Sequence, residues 1–521
     1  MSADPDIAAP RSGAEILLTA EEAFPALERA FLAARQEIAL GFRIFDPDTR
    51  LRSPEALALG NRWSDLIAAT LARGVSIRLL LSDFDPIGAS DLHRSTWRSM
   101  HEFEAIRERT DAGAQLDVHA SMHPAVAGLL PRLLFYPVVQ KKLAARAADI
   151  NGLGAEPREQ ALREMPGLAA CLESGKDGTV RPRRWPPPDI HPVTHHQKVA
   201  VFDRELLLIG GLDLNDRRWD TKDHERSAAA TWHDIQIAVR GQAAEEAGRH
   251  LDELLAVARG EAQPQPRHRL VTTLSAPRRR RTAWTRIGPR TVDRSIAEAH
   301  HRLIGSARSL IYLETQFFRD LRLAWHLADA ARRRPELGLL LVLPAAPEQV
   351  AFSSETRLAD RFGEWLQGRC LRRLIRAFGP RFFAASPAQP RSVSGDGRDT
   401  LNGAPLVYVH AKVSCFDLDA AIVSSANLNG RSLRWDTEAG VVIDSKEDVR
   451  RLRGRIFRHW LGPEAGPKFF EGPGAVAAWR ELAVANAHAE PKDRRGFLMP
   501  YDIDAAERFG QAVPGVPEEM V

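Results

Sequence analysis

Cysteine is scarce in this chain: Cys171, Cys370 and Cys415 are the only three in 521 residues, and they stand far apart. That spacing excludes a disulfide-stapled scaffold and any four-cysteine zinc site. No apolar run reaches the ~18 residues that a bilayer-crossing helix requires. The longest tract, Ala125 to Val139, is broken by Pro131, Arg132 and Pro137. The opening stretch, MSADPDIAAPRSGAEILL, carries acids early and lacks the apolar core of a secretory signal. A cytoplasmic or peripheral membrane protein is the expectation, with secretion by a non-classical route left open. Lysine is the other scarcity. Only nine of the 72 basic residues are lysines, and against 68 acids the net charge is +4. Arginine carries the surface charge, so a position that keeps lysine is informative. At 44% hydrophobic and 27% charged the composition is that of a soluble globular protein. The length predicts about two to four domains.

A repeat organises the rest. FPALERAFLAARQEIALGFRIFDP (24–47) and SIAEAHHRLIGSARSLIYLETQFF (295–318) both read as a helix leading into a strand. Each is followed by a second helix and a strongly apolar strand, SIRLLLSDFDP (76–86) and LGLLLVLPAAP (337–347). The pattern predicts an α/β fold of two pseudo-symmetric halves, each a mixed sheet flanked by helices, with the active site between them. The expected boundaries are a tail at 1–23, a first half at 24–261 and a Pro/Arg-rich linker at 262–292. A second half at 293–465 and a C-terminal extension at 466–521, irregular around a short helix, complete them. The first half carries an insertion at about 100–190, ending in the proline-stiffened RPRRWPPPD (181–189).

Both halves contain His-x-Lys-x4-Asp. HHQKVAVFD gives His196, Lys198 and Asp203, and VHAKVSCFD gives His410, Lys412 and Asp417. Residues two apart share a strand face, so each histidine and its lysine point the same way. Asp203 and Asp417 fall at odd offsets and turn to the other face, which reads as structural and counts against a His/Asp metal site. Fourteen residues after each histidine comes a small-residue turn, GGLDLN or SSANLN, pairing Asp213 with Asn427 and Asn215 with Asn429. Small residues there let the backbone approach a ligand. Asp234 and Glu438 then open a strand in each half, placed to fix the tautomer of a ring in front of them. Two histidines, two lysines and an amide suit a phosphodiester. Lysine holds non-bridging oxygens as a point charge, one neutral histidine attacks phosphorus, and the other delivers a proton to the leaving oxygen. The two roles call for separated pKa values.

At these residues the sequence resembles the phospholipase D superfamily, of which the duplicated motif is the signature. HHQK, GGLDL, WHDIQ and YLETQFF are similar to the branch that includes the plant and animal enzymes. The resemblance covers most of 24–460. It implies hydrolysis of a phospholipid head group at a membrane surface, with water or a primary alcohol as acceptor and no metal or cofactor in the chemical step. It implies His196 as nucleophile and His410 as acid/base. Lys198, Lys412 and Asn427 would hold phosphate, joined by Asp213, Asn215 and Asn429, while Asp234 and Glu438 orient the rings. Asp213 stands where many bacterial members carry an asparagine. The alternatives are a cardiolipin synthase-like phosphatidyltransferase, a nuclease of the same superfamily and an inactive binding relative. Nucleic acid is not the expected partner, and a monomer is the expected state.

Four further features have their own readings. PRRRR (277–281) reads as a solvated linker, or otherwise as a basic surface. LLPRLLFYPVVQKKL (129–143) reads as the core of the insertion, or otherwise as a shallow membrane contact flanked by Lys141 and Lys142. Cys415 reads as a small buried hydrophobe. Glu314 and Gln316 fit either packing or the rim of the site.

Overall fold

A computed structural model describes residues 13–521 except 112–114, 176–177, 279–282, 354–356, 394–396, 471 and 473. Arg279 to Arg281 of the arginine run and the first twelve residues of the expected tail lie outside the described residues.

Short apolar, β-branched runs build the frame. In the first lobe they form β1 (Glu15–Leu18), β2 (Glu37–Phe42), β3 (Ser76–Ser82) and β4 (Leu116–Ser121). After a small hairpin of β5 (Leu172–Ser174) and β6 (Val180–Pro182) come β7 (Lys198–Phe202), β8 (Leu206–Gly210) and β9 (Ile235–Arg240). The second lobe has β10 (Leu270–Ala276), β11 (Arg290–Arg294), β12 (Leu310–Thr315), β13 (Gly338–Val342) and β14 (Phe382–Pro387). A minor hairpin of β15 (Thr400–Leu401) and β16 (Ala404–Pro405) precedes β17 (Lys412–Phe416), β18 (Ala420–Ser424), β19 (Glu438–Ile443) and β20 (Leu498–Pro500).

The duplication is visible in the strand order. The first sheet runs β1-β9-β8-β7-β2-β3-β4, and the second contains β10-β19-β18-β17-β12-β13-β14 between β11 and β20. In each, a parallel trio (β2-β3-β4, β12-β13-β14) meets antiparallel neighbours at β7 or β17. One face of each sheet packs on the other sheet: Val199, Ile209 and Ile237 share a buried cluster with Val413, Val423 and Val441. Helices cover the outer faces. LRLAWHLADAARR (Leu321–Arg333) shows why: Leu323, Leu327 and Ala331 fall on one side and are buried, while Arg332 and Arg333 sit in the last turn. Asp320 caps its first turn by accepting from the Leu323 N–H at 2.6 Å. Leu327→Ala would open a cavity there and cost about 2–5 kcal/mol.

Regular elements run across several of the expected boundaries. The stretch read as tail already contains β1, and the helix Thr19–Ala33 follows it directly. The stretch read as linker contains β10 and the start of β11, hidden because β11, Arg-Thr-Val-Asp-Arg, is a polar edge strand. The extension is more regular than expected, with a helix at Gly474–His488 and β20 on the sheet edge. The insertion's core is Leu143, Ala147, Ile150, Leu168 and Leu172, with Val139 packed against it, so only the end of the tract at 129–143 takes part. Within the helix Leu129–Asn151 only the later turns reach that core, and Leu134 is 71% exposed.

Among the histidines buried in this frame are His123, His195, His250 and His300. Burial lowers every one, His195 and His300 to about 4 and the other two well below the usual imidazole value. Between about pH 6.5 and 4 the unfolded chain takes up protons at these rings while the folded chain does not. Stability therefore falls with pH through that window, by up to ~1.4 kcal/mol per pH unit for each ring. Urea-unfolding midpoints are expected to decline steadily from about pH 6.5 to 4.5, and a flat profile contradicts this.

Candidate active site

The two lobes meet through a pair of matching main-chain bridges. His195 pairs with Thr437 and Val409 pairs with His233, both in parallel. The His196 N–H donates to Thr437 O at 2.8 Å, and the His410 N–H donates to His233 O at 2.7 Å. Each His-x-Lys segment is thus laid beside the acid-bearing segment of the opposite lobe. The side chains follow that crossing. His196 Nδ1 lies 2.9 Å from Glu438 Oε1, and His410 Nδ1 lies 2.6 Å from Asp234 Oδ2. With Nδ1 engaged, Nε2 of each ring is the nitrogen left for a ligand.

Both rings line one cleft of about 710 Å³, shared by Arg43, Arg217, Arg218, Gln316, Asn427 and Arg431. Lys198 and Lys412 lie just beneath it, almost wholly buried, and each ammonium donates to the carbonyl of its own histidine. Burial, then the neighbouring lysines, hold both imidazoles well below the usual value, so each stands in its neutral form. Burial pushes Asp234 up to about 7 and Glu438 up to about 8. Burial also lowers both lysines, Lys412 to about 7. The expected separation of the two histidines is therefore not built into the protein alone, because the same desolvation acts on both.

The lobes differ in how they back the lysines. Asp213 Oδ1 lies 3.8 Å from Lys198 Nζ, and the Ile44 N–H donates to it at 3.1 Å. Its carboxylate does not line the cleft. Asp213 stands here as a counter-ion to Lys198 and to Arg43, whose guanidinium lies 3.6 Å from Oδ2. Asn427 takes the matching place, lines the cleft and accepts no hydrogen bond at its buried Oδ1, while its Nδ2 donates to Gln316 Oε1 at 3.3 Å. Gly211 and Ser425 also differ. A Cβ at Gly211 would sit 2.4 Å from Asp234 Oδ1, whereas the Ser425 hydroxyl donates to Glu438. Asn215 and Asn429 line the cleft, but their side-chain oxygens cap short helices, accepting from the Arg218 and Ser432 N–H groups.

Of the other sequence features, Gln316 lines the cleft and Glu314 is buried behind it. Cys415 is buried and its thiol is pushed up to about 12. Sequence reasoning passed over Trp232, whose ring lies 4.5 Å from that of His410, and Arg218, whose guanidinium lies 3.6 Å over Trp232. Their signal was available: Trp232 stands two residues before Asp234, and Arg218 lies in the small-residue turn.

Asp203 and Asp417 lie away from the cleft, in tight turns past the ends of β7 and β17, at φ of 51° and 53°. Each carboxylate accepts three main-chain N–H groups where a helix hands over to a strand. The donors are Arg35, Gln36 and Glu37 for Asp203, and Arg308, Ser309 and Leu310 for Asp417. Their position beyond the strand, more than strand parity, keeps them from the site. Asp417→Ala is expected to lower stability by about 1–3 kcal/mol with little change in turnover of the folded protein. A large loss of turnover at unchanged melting temperature would contradict that role.

Two α/β lobes that share one cleft, each giving it a His-Lys pair and an acid for the other's histidine, define a duplicated protein with a composite site. A family model described as "Cardiolipin synthase, PLD-like domain" matches residues 301–460. Phospholipase D A of Dictyostelium discoideum is 23% identical over 335 residues, covering 52% of this chain and 26% of that protein. Phospholipase D1 of Schizosaccharomyces pombe is 23% identical over 378 residues, covering 52% and 27%. Phospholipase D beta 2 of Arabidopsis thaliana is 22% identical over 286 residues, covering 43% and 31%. The match spans about a quarter to a third of these relatives. Among solved structures, a phosphatidylserine synthase of Haemophilus influenzae Rd KW20 is 11% identical with a TM-score of 0.48, covering 86% of each chain. In these matches the chain is similar to members of the phospholipase D superfamily. Among the described residues, no helix is long and apolar enough to cross a membrane.

Proposed function

We propose that this protein is a phospholipase D-type phosphodiesterase acting on phospholipid head groups through a covalent phosphohistidine. The observation that carries the reading is the crossed arrangement of two neutral, carboxyl-backed imidazoles over two buried lysines in one cleft. His196 Nε2 attacks phosphorus, forming the N–P bond as the bond to the head-group oxygen breaks. His410, protonated beside the bound phosphate, gives its proton to that oxygen. It then takes a proton from water or an alcohol, whose oxygen displaces His196 and restores the free ring. Lys198 and Lys412 balance the charge on the non-bridging oxygens, with Lys412 drawn fully into its charged form by the anion, and the Asn427 amide donates a hydrogen bond to them.

A lipid substrate is supported by the apolar ground beside the cleft. A second pocket of about 390 Å³ shares Phe84, Thr194 and Arg431 with it and is lined by Ile87, Phe135, Val138 and Val139. The helix Leu129–Asn151 continues from there with Leu129, Leu130, Leu133, Leu134 and Val138 exposed, and Trp185 and Trp284 project nearby. Exposed apolar and aromatic side chains followed by Lys141 and Lys142 suit an anionic bilayer surface better than a nucleic acid. Phosphatidyl transfer to an alcohol is the second reading, favoured by the description of the matched family. It uses the same intermediate with a different acceptor.

The test is incubation with phosphatidylcholine and a primary alcohol, with single-stranded DNA in parallel. Phosphatidic acid or phosphatidyl-alcohol is expected, and cleavage of DNA alone would overturn the reading. His196→Ala and His410→Ala are each expected to lose at least ~1,000-fold in turnover; near-normal activity in either sinks the two-histidine scheme. Leu134→Ser with Val138→Ser is expected to weaken activity on vesicles while sparing a soluble short-chain phospholipid. Equal loss on both substrates would contradict a membrane-contact role.

A further inference from the structure

We propose that His224, His233 and His459 form a binding site for one divalent transition-metal ion, zinc in the first instance, which clasps the two lobes behind the cleft. One ring nitrogen from each lies within 4.8 Å of the other two. His224 Nε2 and His459 Nε2 stand 3.2 Å apart. Two nitrogens bound to one tetrahedral zinc at ~2.05 Å are separated by about 3.3 Å. Small ring rotations bring the third nitrogen onto the same ion.

The surroundings are those of a ligand set. His224 Nδ1 lies 2.6 Å from Asp220 Oδ2, which directs its Nε2 lone pair toward His459. His233 Nε2 lies 2.9 Å from Glu314 Oε1, so Nδ1 is its free nitrogen. A carboxylate on the far nitrogen of a ligating histidine is the usual outer support of a metal site. His233 and Glu314 are both 0% exposed, yet His233 Nδ1, His233 Nε2 and Glu314 Oε1 all lack a well-aligned hydrogen-bond partner. Buried atoms of this kind call for an explanation, and a bound cation supplies one. Charge agrees: among the described residues neither Asp220 nor Glu314 has a lysine or arginine within ion-pair distance, and the histidines are their only such partners. A divalent ion balances the two carboxylates. Nitrogen ligands select zinc and its first-row neighbours over calcium or magnesium.

The position gives the ion a purpose apart from chemistry. His224 and His233 belong to the first lobe, whereas His459 lies on the helix Lys446–Leu461 and Glu314 on β12 of the second. His233 is also the residue whose main chain bridges to Tyr408 and His410. At the pseudo-equivalent place the other lobe has Thr437, whose hydroxyl meets His195 Nδ1 at 2.9 Å. The ion would fix on one side what a hydrogen bond fixes on the other.

The full-length protein, stripped with a chelator and reloaded with Zn²⁺ or Co²⁺, tests this by elemental analysis, absorption and thermal unfolding. The expected result is about one equivalent retained through dialysis, with the visible bands of tetrahedral Co²⁺. The chelator is expected to lower the melting temperature by several degrees. His224→Ala and His459→Ala are expected to lose the bound ion, and His326→Ala, at an exposed histidine packed on His301 elsewhere, to keep it. The proposal is overturned if the native protein holds neither ion after loading, or if both cluster variants retain it. If the variants do not fold, the Co²⁺ spectrum and the chelator shift of the native protein decide.

Discussion

The imidazole of His196 leans on the carboxyl of Glu438 at 2.9 Å, and that of His410 leans on Asp234 at 2.6 Å, each pair drawn from opposite lobes. Neither lobe can orient its own histidine. The main-chain bridges at His195–Thr437 and His233–Val409 hold the crossing in register, and the cluster of valines and isoleucines between the sheets keeps the lobes pressed together. The cleft therefore exists only as a joint product, and its geometry is as rigid as the inter-sheet core beneath it.

Desolvation sets the electrostatics of that cleft. Rings, carboxyls and lysines all drift toward their neutral forms because charge is costly there. On the proposed reading, a phosphate entering the cleft would reverse the trend by bringing an anion against the lysines. Asymmetry enters at one position, where Asp213 accompanies Lys198 and Asn427 accompanies Lys412. Of the two lysines only Lys198 has a carboxylate at ion-pair distance among the described residues, so on the proposed reading Lys412 is the cation that would respond more strongly to an anion. A pseudo-symmetric fold thereby gains two unequal halves without changing its motif.

Much of this was legible in the sequence, because duplication marks itself. The two His-x-Lys pairs, the acids at 234 and 438, and the order of strands around them all follow from repeated local patterns. What escaped lies between elements distant in the chain. Which acid backs which histidine depends on docking, since Asp234 and Glu438 hold the same place in their own lobes. Asn215 and Asn429 looked like ligands because their cap role is a local contest between helix and substrate, although an asparagine before a short helix is a capping signal. β11 hid among arginines because an edge strand has one solvated side. The apolar tract at 129–143 resembled core, and burial there is decided by neighbours that composition does not disclose. His224, His233 and His459 share no motif, and only the meeting of the two lobes gathers them.

The proposed covalent step at one ring of the composite site is open to direct observation. Protein mixed rapidly with phosphatidylcholine, denatured at alkaline pH within a turnover and digested for mass spectrometry is predicted to carry a phosphatidyl group on the peptide containing His196. An adduct on the His410 peptide would reverse the two roles. Active turnover with no adduct on either peptide would contradict the phosphohistidine mechanism itself.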